Sequence, residues 1–414
     1  MLVSIRGRGY GPVATAVLAD PDGAMRDHPP GPLVHPPVRL PLLLLALTTL
    51  AGCGSREAAT GNPTSVRVAA FNIFELSTAK LDARDSAGAP LNLQVRAAAA
   101  IIQAVRPDIL FLNEIDAPPG QEALAARRFA AEFLATGPDA IEYPYVYAAP
   151  TNTGELSGFD LNRDGVVATT ADLGTRAHGD DSWGFGTYPG QYGMALLSRY
   201  PIDTAAVRTF RLFRWKDLPG AHLPEGWYSD SVLARFRLSS KSHWDVPVQV
   251  GRDTLHLLAS HPTPPVFDGD EDRNGRRNYD EVGFWVRYLD GSPAIRDDRG
   301  IAGGLPAGRS FVILGDLNAP PEQPESQYDG KPAIRQLLGD PRIQDPPPLT
   351  GRPTASFNRG TRADYVLPSA WLRVLDGGVV WPDSTTDAAG AALASLASDH
   401  RMVWIDLALP LRRR

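Results

Sequence analysis

Apolar residues fall along this chain in two rhythms. Short apolar runs that end in polar residues predict buried strands at 66–73 (VRVAAFNI), 108–112 (DILFL), 193–198 (GMALLS), 255–259 (LHLLA) and 311–314 (FVIL). Strands are also expected at 361–367 (TRADYVL) and 401–407 (RMVWIDL), and the alternation in 231–238 (SVLARFRL) predicts one with a single buried face. A helical spacing appears at 94–105, where Val95, Ala98, Ile101, Ile102 and Val105 share a face, with Arg106-Pro107 as the stop. Helices are also expected at 121–135, 281–289 and 331–338. Strands recur without a break from Val66 to Leu407 and no solenoid repeat is visible. One domain over 66–409 follows, with polar insertions near 151–190 and 262–308.

The ends of these runs carry the chemistry. Asn72 closes the first strand, Glu114 the second, and His261 the strand at 255–259. In Phe311 to Pro320, FVILGDLNAP, the apolar run stops at Gly315, and Asp316 and Asn318 follow, spaced so that an extended backbone points both to one side. Taken alone, that stretch reads equally as a turn. Asp364 lies among apolar neighbours, where a carboxylate needs a partner, and Asp399-His400 precede the last strand. His256, inside a strand, is expected to be a packed histidine.

Composition narrows the function. Of 414 residues, 43% are hydrophobic and 21% charged, which fits a globular chain, and the net charge is -6. An acidic body lacks the broad basic field of a tight, processive nucleic-acid binder. It remains compatible with a hydrolase that meets polyanions through a metal.

Cys53 is the single cysteine, so no intramolecular disulfide is available. Arg39, the apolar run LPLLLLALTTL and Leu50-Ala51-Gly52-Cys53 read as a secretory signal over 1–53, too short for a comfortable membrane span. Leu-Ala-Gly-Cys resembles the lipobox of bacterial lipoproteins, which implies lipid attachment at Cys53 and a place on the cell envelope outside the cytoplasm. Met25 offers an alternative start that gives the signal an ordinary lead. Residues 54–65, GSREAATGNPTS, read as a flexible linker.

Two acidic loops raise calcium. Asp160, Asn162 and Asp164 with Gly165 match the first half of a calcium loop, but Ala171 stands where its last ligand belongs. Asp270, Asp272 and Asn274, Gly275, then Glu281 at the twelfth place, match the pattern better, so Ca2+ is a second cation candidate beside Mg2+ or Mn2+.

In chain order, FNI, LNEI, SHPT, GDLNAPP, ADYVLP and SDHRMVW span Phe71 to Trp404. This ordered set resembles the endonuclease/exonuclease/phosphatase superfamily, in its deoxyribonuclease I-like branch. The resemblance implies an α+β fold, a four-layer α/β/β/α sandwich of two mostly antiparallel sheets flanked by helices. It implies that Asn72 and Glu114 hold Mg2+ or Mn2+, with Asp399 near the metal. It implies that Asp316 positions and deprotonates the attacking water, that Asn318 binds the phosphate, that His400 contacts the scissile phosphate with Asp364 fixing its ring, and that His261 faces the phosphate from the other side. A carboxylate partner for His261 is not identifiable; Asp230 is a candidate. The expected substrate is a phosphoester in a nucleic acid, a nucleotide or a phospholipid head group. The alternative is a non-catalytic phosphate- or calcium-binding surface lipoprotein of the same fold.

Overall fold

A computed structural model describes residues 64–322, 327–357 and 360–411. The signal segment, Cys53 and most of the linker lie outside these residues. The described strands, in chain order, are β1 (Ser65–Leu76), β2 (Ile109–Ile115), β3 (Tyr145–Tyr147), β4 (Gly193–Ser198), β5 (Arg208–Thr209), β6 (His243–Val250), β7 (Asp253–Ser260), β8 (Phe311–Asp316), β9 (Gln327–Tyr328), β10 (Lys331–Pro332), β11 (Asp364–Pro368), β12 (Val374–Val379) and β13 (Val403–Ala408). They build a six-stranded sheet, β12-β13-β1-β2-β4-β3, a five-stranded sheet, β11-β8-β7-β6-β5, and the small β9-β10 pair. Each large sheet is antiparallel except for one parallel pair, β1 with β2 and β7 with β8.

Side-chain alternation turns these strands into layers. On β1, Val66, Val68 and Ala70 face the other sheet, while Ala69, Phe71 and Ile73 face helices. The outer face of the six-stranded sheet is covered by the Leu93–Val105 and Ala388–Ala397 helices and the segment Leu124–Leu134. The Arg273–Leu289 helix covers the five-stranded sheet through Val282, Phe284, Trp285 and Tyr288 against Leu258, Phe311 and Ile313. Between the sheets lie Phe111, Trp244, Leu257, Leu314, Val366 and Ile405. The result is the expected four-layer α+β sandwich. Among the described residues, no helix is long and apolar enough to cross a membrane.

Several elements depart from the sequence reading. The strand expected at 231–238 is a short helix, Asp230–Leu233, capped by the Ser229 side chain, followed by a turn. Val232, Phe236 and Leu238 are buried by that turn rather than by a pleat. The helix expected at 331–338 is the strand β10 and then one turn, Arg335–Leu338. At 121–135 the helix runs Leu124–Phe129 and widens into a looser turn over Ala130–Leu134. The helix expected from Glu281 begins eight residues earlier, at Arg273, which removes the second calcium loop. A segment wound into a helix cannot wrap a cation between its first and twelfth places. Asp270 is exposed, Asp272 stands left-handed at the helix start with its carboxylate accepting the Tyr328 hydroxyl, and Asn274 Nδ2 donates to the Val266 carbonyl. Glu281 is fully buried and accepts from Ser240 N at 2.7 Å and Thr263 N at 2.6 Å. In the first acidic loop the Asp160 carboxylate accepts the backbone amides of Asp164 and Gly165.

Candidate active site

The site is the polar end of the core between the sheets. Asn72 continues the row Val66, Val68, Ala70; His261 continues Leu255, Leu257, Ala259; Asp316 continues Val312, Leu314; and Asp364 precedes Val366 on the same face. Strand parity therefore aims all four side chains into one gap. Glu114 has the opposite parity, which would turn it toward the helices. It reaches the gap because its backbone is left-handed, φ 64°, at an irregularity in the β2–β4 register between Asn113 and Ile115.

Gly315 makes the close approach of β7 and β8 possible. Its φ is 138°, and a Cβ there would come within 2.1 Å of the Ser260 carbonyl oxygen. One residue further on, Asp316 is 1% exposed and pairs in register with Asp364. Its amide donates to Asn113 Oδ1 at 3.1 Å, and its own Oδ1 accepts from Asn318 N at 3.0 Å.

Three side chains converge on Asp316 Oδ2: Asn72 Nδ2 at 3.0 Å, His261 Nε2 at 3.5 Å and His400 Nε2 at 3.6 Å. Asn72 Nδ2 also donates to Glu114 Oε1 at 2.9 Å, so this amide bridges the two carboxylates, while its oxygen accepts from Phe74 N at 3.1 Å. Asn72 was expected to supply an oxygen; here it presents a donor and orients the carboxylates. His400 Nδ1 lies 2.8 Å from Asp364 Oδ2, which fixes the ring with Nε2 toward Asp316. Asn318 is half-buried, left-handed at φ 48°, and its Nδ2 donates to the Pro262 carbonyl at 3.1 Å.

These surroundings set the charges. Burial, reinforced by Asp364, raises the Asp316 carboxyl to about 6 against the opposing pull of His400 and two hydrogen bonds. For His400, burial works against the charge, but Asp364 and Asp316 outweigh it and hold the imidazolium up to about 10. His261 is driven well below its ordinary value, first by burial and then by the nearby charges of Lys241 and His400, so it is neutral. Burial raises the Glu114 carboxyl, against the Asn72 hydrogen bond and the charge of His400.

Not every expected residue joins this group. Asp399 is half-buried beside it and lines a neighbouring cleft of about 460 Å³ with Phe74, Lys80 and Arg401. Asp230, considered as a partner for His261, is exposed at the start of its short helix. His261 Nδ1 finds no hydrogen-bond partner among the described residues, nor do Asn113 Nδ2, Thr263 Oγ1 and Asp364 Oδ1. His256 is paired with Asp245 at 2.7 Å and belongs to the fold. Two residues at the site escaped the sequence reading: Asn113, masked by its neighbour Glu114, and Lys241, which lies in a polar run with no periodic signal.

The donor set fits a hard divalent cation. Glu114, His261 and Asp316 each offer a ligand atom, all within 4.8 Å of one another, and two of the three are carboxylates. Asp316, Asp364 and His400 form a second such group, but His400 is already committed to Asp364. Glu114, at the open side, is the residue best suited to hold the ion.

The chain is similar to several solved structures and matches one family model. Among solved structures the chain is similar to an endonuclease/exonuclease/phosphatase from Beutenbergia cavernae DSM 12333, at 22% identity over 84% of this chain and 72% of that one, TM-score 0.47. It is similar to a family protein from Leptotrichia buccalis C-1013-b at 11% identity over 83% and 99% of the two chains, TM-score 0.45. It also resembles sphingomyelinase C from Streptomyces griseocarneus at 16% identity over 83% and 99%, TM-score 0.41. No curated protein matches. The model of the endonuclease/exonuclease/phosphatase family matches residues 69–400, and the chain belongs to that family.

Proposed function

We propose that this protein is a divalent-metal-dependent phosphoester hydrolase acting outside the cytoplasm. The observation that carries the reading is the convergence of Asn72, His261 and His400 on one oxygen of Asp316, with Glu114 across the gap. A bound Mg2+ or Mn2+, held by Glu114, would neutralise charge on the phosphoryl group. Asp316 accepts the proton of a water and orients its oxygen toward phosphorus. The new P–O bond forms as the bond to the leaving oxygen breaks, and that oxygen takes up a proton. His400, kept cationic by Asp364, donates from Nε2 to a non-bridging oxygen. Asn318, whose Nδ2 gives one hydrogen to the Pro262 carbonyl, keeps a second for the same phosphoryl group. His261, neutral, donates without adding charge. The burial of these groups excludes water and strengthens each contact.

The substrates that fit are phosphoesters of a nucleic acid, a nucleotide or a phospholipid head group. The lipobox at Leu50 to Cys53 supports an enzyme tethered to the envelope. The test is a panel assay of protein beginning after Cys53 on plasmid DNA, bis-p-nitrophenyl phosphate, p-nitrophenyl phosphate and sphingomyelin, with Mg2+, Mn2+ or EDTA. Hydrolysis of at least one substrate, abolished by EDTA and by His400→Ala, is expected. No hydrolysis at all, or hydrolysis indifferent to both, would overturn the reading.

A further inference from the structure

Lys241 sits in the run Ser239-Ser240-Lys241-Ser242-His243, every residue of which is buried. The run is held from three sides. From the 151–190 insertion, Asn152 N donates to the Lys241 carbonyl at 3.0 Å and Asn152 Nδ2 to the Ser239 carbonyl at 2.7 Å. Gly184 of the same insertion lies so close that a Cβ would come within 1.8 Å of the Ser240 carbonyl oxygen. From the Arg273–Leu289 helix, Glu281 accepts Ser240 N, and Arg277 Nε donates to the Leu238 carbonyl at 2.8 Å. From the exit of β7, the His261 carbonyl accepts Ser240 Oγ at 3.3 Å.

The run is anchored through the Ser239 and Lys241 carbonyls and the Ser240 amide, yet the Lys241 side chain is not. Lys241 is 7% exposed, and its ammonium makes no hydrogen bond or ion pair among the described residues. Burial, joined by Arg277, works against its charge; Glu281, which holds the Ser240 backbone, and then Glu114 and Asp316 of the site favour it, and it acts in turn on His261. A long cationic side chain buried without a direct partner is unfavourable, and it is tolerated where a ligand brings the missing anion. The gap bounded by Glu114, Asp316 and His261 is where the hydrolase reading puts a phosphoryl group.

We propose that Lys241 is a substrate-binding residue whose ammonium takes a non-bridging phosphoryl oxygen on the His261 side of Asp316, across from His400. This rests on the hydrolase reading and adds a cation to it. It gives the 151–190 insertion a task, since Asn152 and Gly184 set the position of the lysine.

Lys241→Met keeps the length of the side chain and removes the charge. Three readouts apply to wild type, Lys241→Met and Lys241→Arg: orthophosphate binding by calorimetry, KM for bis-p-nitrophenyl phosphate or whichever panel substrate the wild type cleaves, and the melting temperature in phosphate-free buffer. The expected result for Lys241→Met is at least a tenfold loss of orthophosphate affinity or a tenfold rise in KM, with a melting temperature equal to or above wild type. Lys241→Arg recovers part of the loss. Wild-type binding and KM in Lys241→Met would overturn the proposal while leaving the hydrolase reading intact. A lower melting temperature, or failure to fold, would also overturn it, because the lysine would then be an internal counter-ion of Glu281. Wild-type protein that neither binds orthophosphate nor cleaves any ester would instead remove the hydrolase reading itself.

Discussion

His400 Nδ1 and Asp364 Oδ2 meet at 2.8 Å, and both residues are buried. The carboxylate fixes which ring nitrogen faces the site and favours the cation. Asp364→Asn keeps the shape and loses the charge, so kcat is expected to fall by a factor on the order of 10² to 10³. Steady-state kinetics on the best panel substrate would check this, and a variant as active as wild type would show that the pair is only structural.

The rate should depend on pH in a bell. Asp316 works ionised, so activity is lost as pH falls through its folded pKa of about 6. A bound cation favours the carboxylate and moves that limb to about 6 or below. His400 works protonated, so activity is lost as pH rises through about 10. The profile of kcat/KM against pH reads both limbs. The alkaline limb should move down in Asp364→Asn; an unmoved limb would take His400 out of the mechanism.

Glu281 holds Ser240 and Thr263 through their backbone amides, one on each carboxylate oxygen. Glu281→Gln can satisfy only one of these amides, and the expected loss of stability is about 2–3 kcal/mol by urea unfolding. Any rise in melting temperature with Ca2+ should persist in Glu281→Gln, because it would come from the Glu114 and Asp316 carboxylates. A Ca2+-dependent rise that Glu281→Gln removes would restore the calcium loop at Asp270 to Glu281.

Gly315→Ala forces a Cβ against the Ser260 carbonyl at a φ of 138°. The expected destabilisation is about 3 kcal/mol, with separation of β7 from β8. Equilibrium unfolding measures the first. A stability equal to wild type would mean the strands can part without loss.

For the anchor, Cys53→Ser should move the protein from the membrane fraction to the soluble one. Unchanged fractionation would reject lipid attachment at Cys53.

The sequence exposed this site where alternation did the pointing. Asn72, His261, Asp316 and Asp364 each follow or share an inward row of apolar residues, so their direction could be read before any coordinates. Glu114 was legible as a strand end, but the left-handed turn that redirects it was not. Lys241 was invisible because its burial comes from Asn152, Gly184 and Glu281, which are remote in sequence and carry no periodic signal. The Arg273–Leu289 helix was half missed for a related reason. Its first turns are polar, and Arg277, Asn278 and Glu281 face inward to hold loops rather than outward to water. A pattern reader takes such residues as surface.

The pairing of β1 with β13 has a consequence in time. Val68 lies opposite Ile405, so the strand that carries Asn72 is completed by nearly the last residues of the chain. Contacts this distant in sequence slow folding, because their loop-closure entropy is lost before they contribute anything in return. His400 lies just ahead of β13 and reaches Asp316 as that strand docks. A chain still lacking Val403–Ala408 is therefore expected to leave the β1 edge unpaired and His400 without the strand that follows it.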